Sequence, residues 1–272
     1  MNARPKICFI KAVASGNDFI IIDNKNGELN SQNLDYSKIA QDVCQRKLSI
    51  GADGLLVLEG SNNAVFKMRI FNPDGSEVDM CGNGLRCSAL YASVSGWGDN
   101  LTIETGAGIL SAACNADTVK LKMSDPKDIK LDINLGVDSL ILKVHHINTG
   151  VPHVVHLVED LEKYDVVGIG LKIREHKVFA PAGTNVDFVS DIESSYARVR
   201  TYERGVEDET LACGTGITAS AVILGLLKHV TSPVTLRTES GEKVIVYFKI
   251  DGRKVTDVYL EGKARIVCEG KF

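Results

Sequence analysis

The feature that most limits how this chain can fold is an internal repeat. Asp79-Met80-Cys81-Gly82-Asn83-Gly84-Leu85-Arg86-Cys87-Ser88-Ala89 has a second copy at Leu211-Ala212-Cys213-Gly214-Thr215-Gly216-Ile217-Thr218-Ala219-Ser220-Ala221. Each copy reads Cys-Gly-x-Gly, an aliphatic residue, two variable positions and Ser-Ala, then runs into an apolar, helix-forming stretch. Three further landmarks keep nearly the same spacing: Gly16 and Gly150 lie 134 apart, Gly51 and Gly183 132 apart, and Thr105 and Thr238 133 apart, against 132 for the cysteines. The period is far too long for a solenoid, so the economical reading is a duplicated fold.

The patterns between the landmarks are mostly those of short strands. Residues 7–23 alternate into a strand, broken by the polar turn Ala14-Ser15-Gly16-Asn17-Asp18, and Phe66–Phe71 alternates cleanly before the turn Asn72-Pro73-Asp74-Gly75. Helical spacing appears over Ser37–Arg46 and after each Cys-Gly block. Many strands with one strong helix per half predict an α+β protein of two pseudo-symmetric halves, each a curved, mainly antiparallel sheet wrapped around a central helix. Ser124–Lys130, with Pro126 and four charges, reads as the linker. The predicted halves are 1–123 with 262–272, carrying Cys81, and 124–261, carrying Cys213; Ala264–Cys268 is a last strand returning to the first half.

Composition narrows the partner. With 272 residues the chain can bury two real cores, and a net charge of -4 with dispersed Lys and Arg makes no electrostatic case for nucleic acid or an anionic membrane. A small molecule is the better ligand. Met1–Cys8 lacks the uninterrupted apolar run of a secretory signal, and Ile217–Leu227 is too short and too interrupted to span a bilayer. Seven cysteines without a Cys-x-x-Cys pair argue against a disulfide framework or zinc ribbon and fit a reducing, cytoplasmic setting. Cys8, Cys44, Cys87, Cys114 and Cys268 read as small hydrophobic residues.

Cys81 and Cys213 differ from those five in their setting. A helix N-terminus favours thiolate, and the glycines that follow let backbone N–H groups approach an anion. One Cys-Gly-x-Gly start therefore supplies a base and a carboxylate clamp together. Two such starts facing one substrate would remove a proton from one face of an α-carbon and return one to the other, which is racemisation or epimerisation. The plainer reading of each block is a tight turn opening a packed helix. Asn17, Asn72 and Asn185 have a similar plain reading as turn residues, Glu203 and Arg204 as an exposed pair, and His153 as a structural histidine.

These stretches resemble the diaminopimelate epimerase family. The resemblance covers almost the whole chain, through Ser15-Gly16-Asn17-Asp18-Phe19, Gly51-Ala52-Asp53-Gly54, Phe71–Ser76, Met80–Cys87, Gly183-Thr184-Asn185-Val186, Tyr202-Glu203-Arg204-Gly205 and Ala212–Gly216. It implies a cofactor-independent, two-base epimerase that interconverts LL- and meso-2,6-diaminopimelate for lysine and peptidoglycan precursors, with the site between two domains. Carried over by position, Cys81 and Cys213 are the acid/base pair, and Gly82, Asn83, Gly214 and Thr215 hold the reacting carboxylate. Asn72, Asn185 and Arg204 read the distal end. Asn17 and Glu203 line the reacting centre, Glu203 against the α-ammonium, and His153 lines the site. No metal is implied, and a homodimer is the assembly expected, although the residues themselves leave it open.

Two positions depart from the family pattern. Val151 stands where many members have Asn, and Gly54 where some have Gln, so neither supplies a side-chain amide to the distal group. The chemistry of the thiols is untouched, but a racemase of another amino acid stays open. Proline racemase-like enzymes on this fold usually carry His in the first block where this chain has Asn83, and phenazine-pathway isomerase relatives lack the cysteine pair. From another class, a non-catalytic amino-acid-binding protein with redox-sensing thiols is the alternative.

Overall fold

The computed structural model describes residues 7–272, so the expectation of no signal at Met1–Lys6 lies outside the described residues. Contacts divide the chain into two compact units, one made of the chain up to Leu121 with Gly262–Phe272 and the other of Lys122–Glu261.

In the first unit β1 (Cys8–Ala14) and β2 (Asn17–Asn24) form a tight hairpin. Its turn residues Ser15 and Gly16 both have positive φ, 51° and 83°, the left-handed pair that a two-residue hairpin needs. Helix α1 (Tyr36–Val43) starts at Asp35, whose carboxylate accepts from the Lys38 N–H. β3 (Gly54–Glu59) then joins β2 in parallel, followed by β4 (Phe66–Phe71) and the short β5 (Glu77–Val78). Helix α2 (Gly82–Val94) precedes β6 (Asn100–Thr105), β7 (Gly108–Asn115) and β8 (Thr118–Lys122). Only the β2–β3 and β4–β6 pairs are parallel among those described in this unit.

The second unit follows the same order. β9 (Lys127–Val137) pairs with β10 (Leu140–Asn148), then β11 (Pro152–Leu157), α3 (Val166–Arg174), β12 (Asn185–Glu193), β13 (Tyr196–Glu203) and β14 (Asp208–Thr210). Helix α4 (Gly214–Leu226), β15 (Val234–Arg237), β16 (Lys243–Asp251) and β17 (Lys254–Lys263) complete it. Here β11–β12 and β13–β15 are the parallel pairs. The last strand, β18 (Arg265–Lys271), returns to pair antiparallel with β1, as β9 does with β10.

The strands beside each central helix are buried on both faces, which is why Phe19-Ile20-Ile21-Ile22 is a continuous apolar run rather than an alternating one. Ile20, Ile22, Leu55 and Val57 pack with Ala40 and Val43 of α1, while Leu56, on the opposite face, meets α2 at Gly84. Val154, Val186 and Phe188 pack likewise with Val166 and Ile173 of α3. Helices α2 and α4 are each buried over most of their length and contact strands all around them, β1–β4, β7 and β18 for α2 and β10–β13, β15 and β16 for α4.

Two expectations need correction. The proposed linker Ser124–Lys130 is only partly a linker, because β9 begins at Lys127. Its strand pattern is Ile129, Leu131, Ile133, Leu135 and Val137, and the charges that looked like linker residues sit on its outer face or in irregular positions. Asp128 and Asp132, with φ of 54° and 56°, lie where the β9–β10 register slips. Helix α3 was also not expected.

Candidate active site

Both cysteines cap their helices from extended backbone, Cys81 at φ −142° and Cys213 at φ −115°. Their carbonyls accept the first helical bonds, from Leu85 at 2.8 Å and Ile217 at 2.9 Å, so each side chain stands at the N-terminal mouth of its helix, half-buried.

Around Cys81 the first unit assembles an amide cluster. Asn17 Oδ1 accepts from the Cys81 thiol at 3.7 Å and from Asn83 Nδ2 at 3.4 Å. The Asn17 amide is fixed by its other end, which donates to Asp53 Oδ2 at 2.7 Å. A carboxylate only accepts, so Nδ2 must face Asp53 and the carbonyl oxygen must face the thiol. Asp53 is itself bound by Arg46 at 2.7 Å, and Arg46 also pairs with Asp18 at 2.6 Å. Burial works against the charge on Asp18, but the bonds and charges of Lys11 and Arg46 outweigh it and lower its pKa. Behind the cluster Arg86, fully buried, donates to Asn83 Oδ1 at 2.6 Å, Ser15 Oγ at 2.9 Å and the Lys263 carbonyl at 3.1 Å. Asn72 bonds within its own turn, to Ser76 Oγ at 3.0 Å.

The second unit builds a longer chain. Cys213 Sγ lies 3.3 Å from Thr215 Oγ1, which lies 2.9 Å from His153 Nε2, and His153 Nδ1 lies 2.7 Å from Asp187 Oδ2. Asn185 Nδ2 donates to the Pro152 carbonyl at 3.1 Å and stands 3.5 Å from His153 Nε2, while its Oδ1 accepts from the Arg204 N–H at 2.9 Å. The Arg204 guanidinium donates to the Ala182 carbonyl at 2.9 Å. Glu203 accepts from Thr210 at 2.9 Å. Burial raises the Glu203 pKa, against the pull of the Thr210 hydroxyl and of His153. Burial, then the charges of Glu203 and Asp187, push the Cys213 thiol well above its ordinary value; the Thr215 hydroxyl and the Gly216 N–H act the other way.

The glycines of the two blocks have different reasons. A Cβ on Gly82 would meet nothing within 4 Å, and one on Gly214 only Leu260 at 3.6 Å, leaving both helix mouths open to a ligand. A Cβ on Gly216 would fall 2.1 Å from Asp187 Oδ1 and 3.2 Å from His153 Cε1. Gly216→Ala is therefore expected to cost about 1–3 kcal/mol of stability by overpacking, whereas Gly82→Ala stays within about 0.5 kcal/mol. Urea unfolding of the two variants checks the contrast.

The structure thus joins Asn17, Cys81 and Asn83 in one cluster and His153, Asn185, Arg204, Cys213 and Thr215 in another. Residues that sequence reasoning gave no site role are Asp53, Arg86, Asp187, Thr201 and Thr210. Among the described residues, no group of three or more His, Cys, Asp or Glu side chains is placed to hold a metal, and no helix is long and apolar enough to cross a membrane.

A class of solved structures shares this fold. A phenazine biosynthesis protein of the PhzF family from Bacillus anthracis superimposes with a TM-score of 0.72 at 18% identity, covering 99% of both chains. A hydroxyproline epimerase from Agrobacterium vitis gives 0.71 at 16% identity, covering 100% of this chain and 93% of that one. Sequence narrows the class. The family model described as diaminopimelate epimerase matches residues 9–129 and 145–267, and the chain belongs to that family. It is 40% identical to the diaminopimelate epimerase of Aquifex aeolicus over 97% of both chains, and 39% identical to that of Methanocella arvoryzae over 98% of this chain and 97% of the other.

Proposed function

We propose that this protein interconverts LL- and meso-2,6-diaminopimelate without a cofactor, with Cys81 and Cys213 as its acid/base pair. The observation that carries the reading is the duplication of the reactive element: each half of a diaminopimelate epimerase family chain opens its central helix with a half-buried thiol followed by Gly-x-Gly. In each direction one thiolate takes the α-proton and the other thiol delivers one to the opposite face. The open helix mouths at Gly82–Asn83 and Gly214–Thr215 hold the α-carboxylate, where negative charge develops as the proton leaves. Asn17 orients at the reacting centre, Asn72, Asn185 and Arg204 bind the distal group, and His153 lines the site.

The halves 1–123 with 262–272 and 124–261 each contribute one thiol. The enzyme works in the cytoplasm, as a homodimer, on the route to lysine and cell-wall precursors. Racemisation assays over a panel of diaminopimelate, proline and histidine test the substrate. Turnover of another member of the panel without turnover of diaminopimelate rejects it, and Val151 and Gly54 are the positions that would then explain the change.

Glu203 gives the reaction a pH limb. Its carboxylate form pairs with the substrate ammonium, and its raised pKa means that this form is lost at a higher pH than for an ordinary glutamate. In wild type kcat/KM should fall as pH drops through that raised value. Glu203→Gln should remove the limb and lower kcat/KM by about 10- to 100-fold, the worth of a hydrogen bond to a charged group. A pH profile of both proteins reads it directly.

A further inference from the structure

The two helix starts differ in what lies beneath them. In the first half Phe19 pairs with Gly54 and Ile21 with Leu56, and a Cβ on Gly84 would meet Leu56 at 3.1 Å and Phe19 at 3.6 Å. In the second half His153 pairs with Asn185 and Val155 with Asp187, and a Cβ on Gly216 would meet Asp187 and His153. An apolar pair under the Cys81 helix is thus replaced under the Cys213 helix by two ionisable side chains, each 0% exposed. For packing alone an apolar pair serves as well, and desolvating an imidazole and a carboxylate costs free energy that it does not.

The polar chain also has a direction. Thr201 donates to Asp187 Oδ1 at 2.7 Å, and Oδ2, which as a carboxylate oxygen only accepts, takes the proton of His153 Nδ1 at 2.7 Å. With that proton on Nδ1, Nε2 is the acceptor whenever the ring is neutral; the Thr215 hydroxyl then donates to it at 2.9 Å and offers its lone pair to Cys213 Sγ at 3.3 Å. Every donor from the thiol inward points toward Asp187.

We propose that Asp187 is a positioning residue that makes His153 the internal acceptor of the Cys213 proton, with the Thr215 hydroxyl as the relay. The inference rests on the reading of Cys213 as an acid/base residue. In the step, the S–H bond of Cys213 breaks as its proton passes to Thr215 Oγ1, and the Thr215 O–H bond breaks as its proton passes to His153 Nε2. The products are a thiolate, a neutral threonine and an imidazolium held against the Asp187 carboxylate; the reverse transfer restores the thiol. Burial and the nearby carboxylates hold Cys213 against losing its proton to water, and the inward route supplies a thiolate without that loss.

Iodoacetamide labelling of Cys213 at neutral pH, followed by peptide mass spectrometry and without substrate, tests the relay, with the exposed Cys268 as internal reference. In Asp187→Asn the imidazolium formed by the relay loses the carboxylate that holds it at Nδ1, so labelling of Cys213 should slow by about 10-fold or more. If Asp187 acted only through its charge, the variant would label faster, because that charge disfavours the thiolate. An unchanged or faster rate overturns the proposal, as does a wild-type Cys213 left unlabelled while Cys268 is labelled completely. Thr215→Val should slow labelling like Asp187→Asn while Thr215→Ser keeps the wild-type rate, and this pair decides the matter should Asp187→Asn not fold. Equal rates in the two threonine variants also overturn it. Because labelling needs no turnover, a chain that acts on a different amino acid leaves the result intact.

Discussion

Cys81→Ala and Cys213→Ala should each lose epimerisation by about 10³-fold or more, the contribution of a positioned acid or base to proton transfer at a weakly acidic carbon. The loss should be similar for the two variants, since inversion needs one group on each face and deleting either leaves a proton that is taken but not replaced on the other side. Wild type in D2O should place deuterium on the α-carbon of the inverted product. Inversion at the wild-type rate in either variant rejects the two-thiol mechanism. Wild-type protein that binds the amino acid without any exchange would point to the binding and redox-sensing alternative.

Arg86→Ala should have the largest effect on stability, about 3–5 kcal/mol in urea unfolding. Arg86 is fully buried and joins three separate pieces of the first unit: the hairpin turn through Ser15, the helix start through Asn83 and the approach to β18 through the Lys263 carbonyl. Truncation leaves a cavity and strips partners from buried oxygens at once. Arg86→Lys should recover only part of the loss, because one ammonium cannot reproduce the geometry of the guanidinium fork.

Much of this was legible in the chain. The repeat, the turn at Ser15-Gly16, the Phe66–Phe71 strand and the two helix-opening cysteines carry local patterns, and local patterns are what a sequence displays. Helix α3 contains Gly168 and Gly170, whose low helix propensity weakens its local pattern. Yet Gly170 is in a helix because a Cβ there would strike Tyr202 at 2.6 Å. Arg86 occupied a variable position of the repeat, and nothing near it in sequence announces full burial; its partners lie at Ser15, Asn83 and Lys263. Asp187 directly follows the Gly183-Thr184-Asn185-Val186 stretch and shows no role there, because the acceptor-only logic that gives it one depends on His153, in the neighbouring strand and 34 residues away. The roles proposed for Asn72, Asn185 and Arg204 come from the family resemblance, because the turn contexts of the two asparagines and the paired charges at Glu203 and Arg204 do not by themselves suggest them.

The return of β18 to β1 has a consequence for how the protein is made. Ala14 closes β1 and Arg265 opens β18, so at about 5–20 residues per second a ribosome leaves β1 without that neighbour for roughly 10–50 s. The second unit, by contrast, is continuous from Lys122 to Glu261 and is complete before β18 emerges. During synthesis the half that comes first is therefore finished last, and an open strand edge has to be kept from wrong partners until the final stretch of chain arrives to cover it.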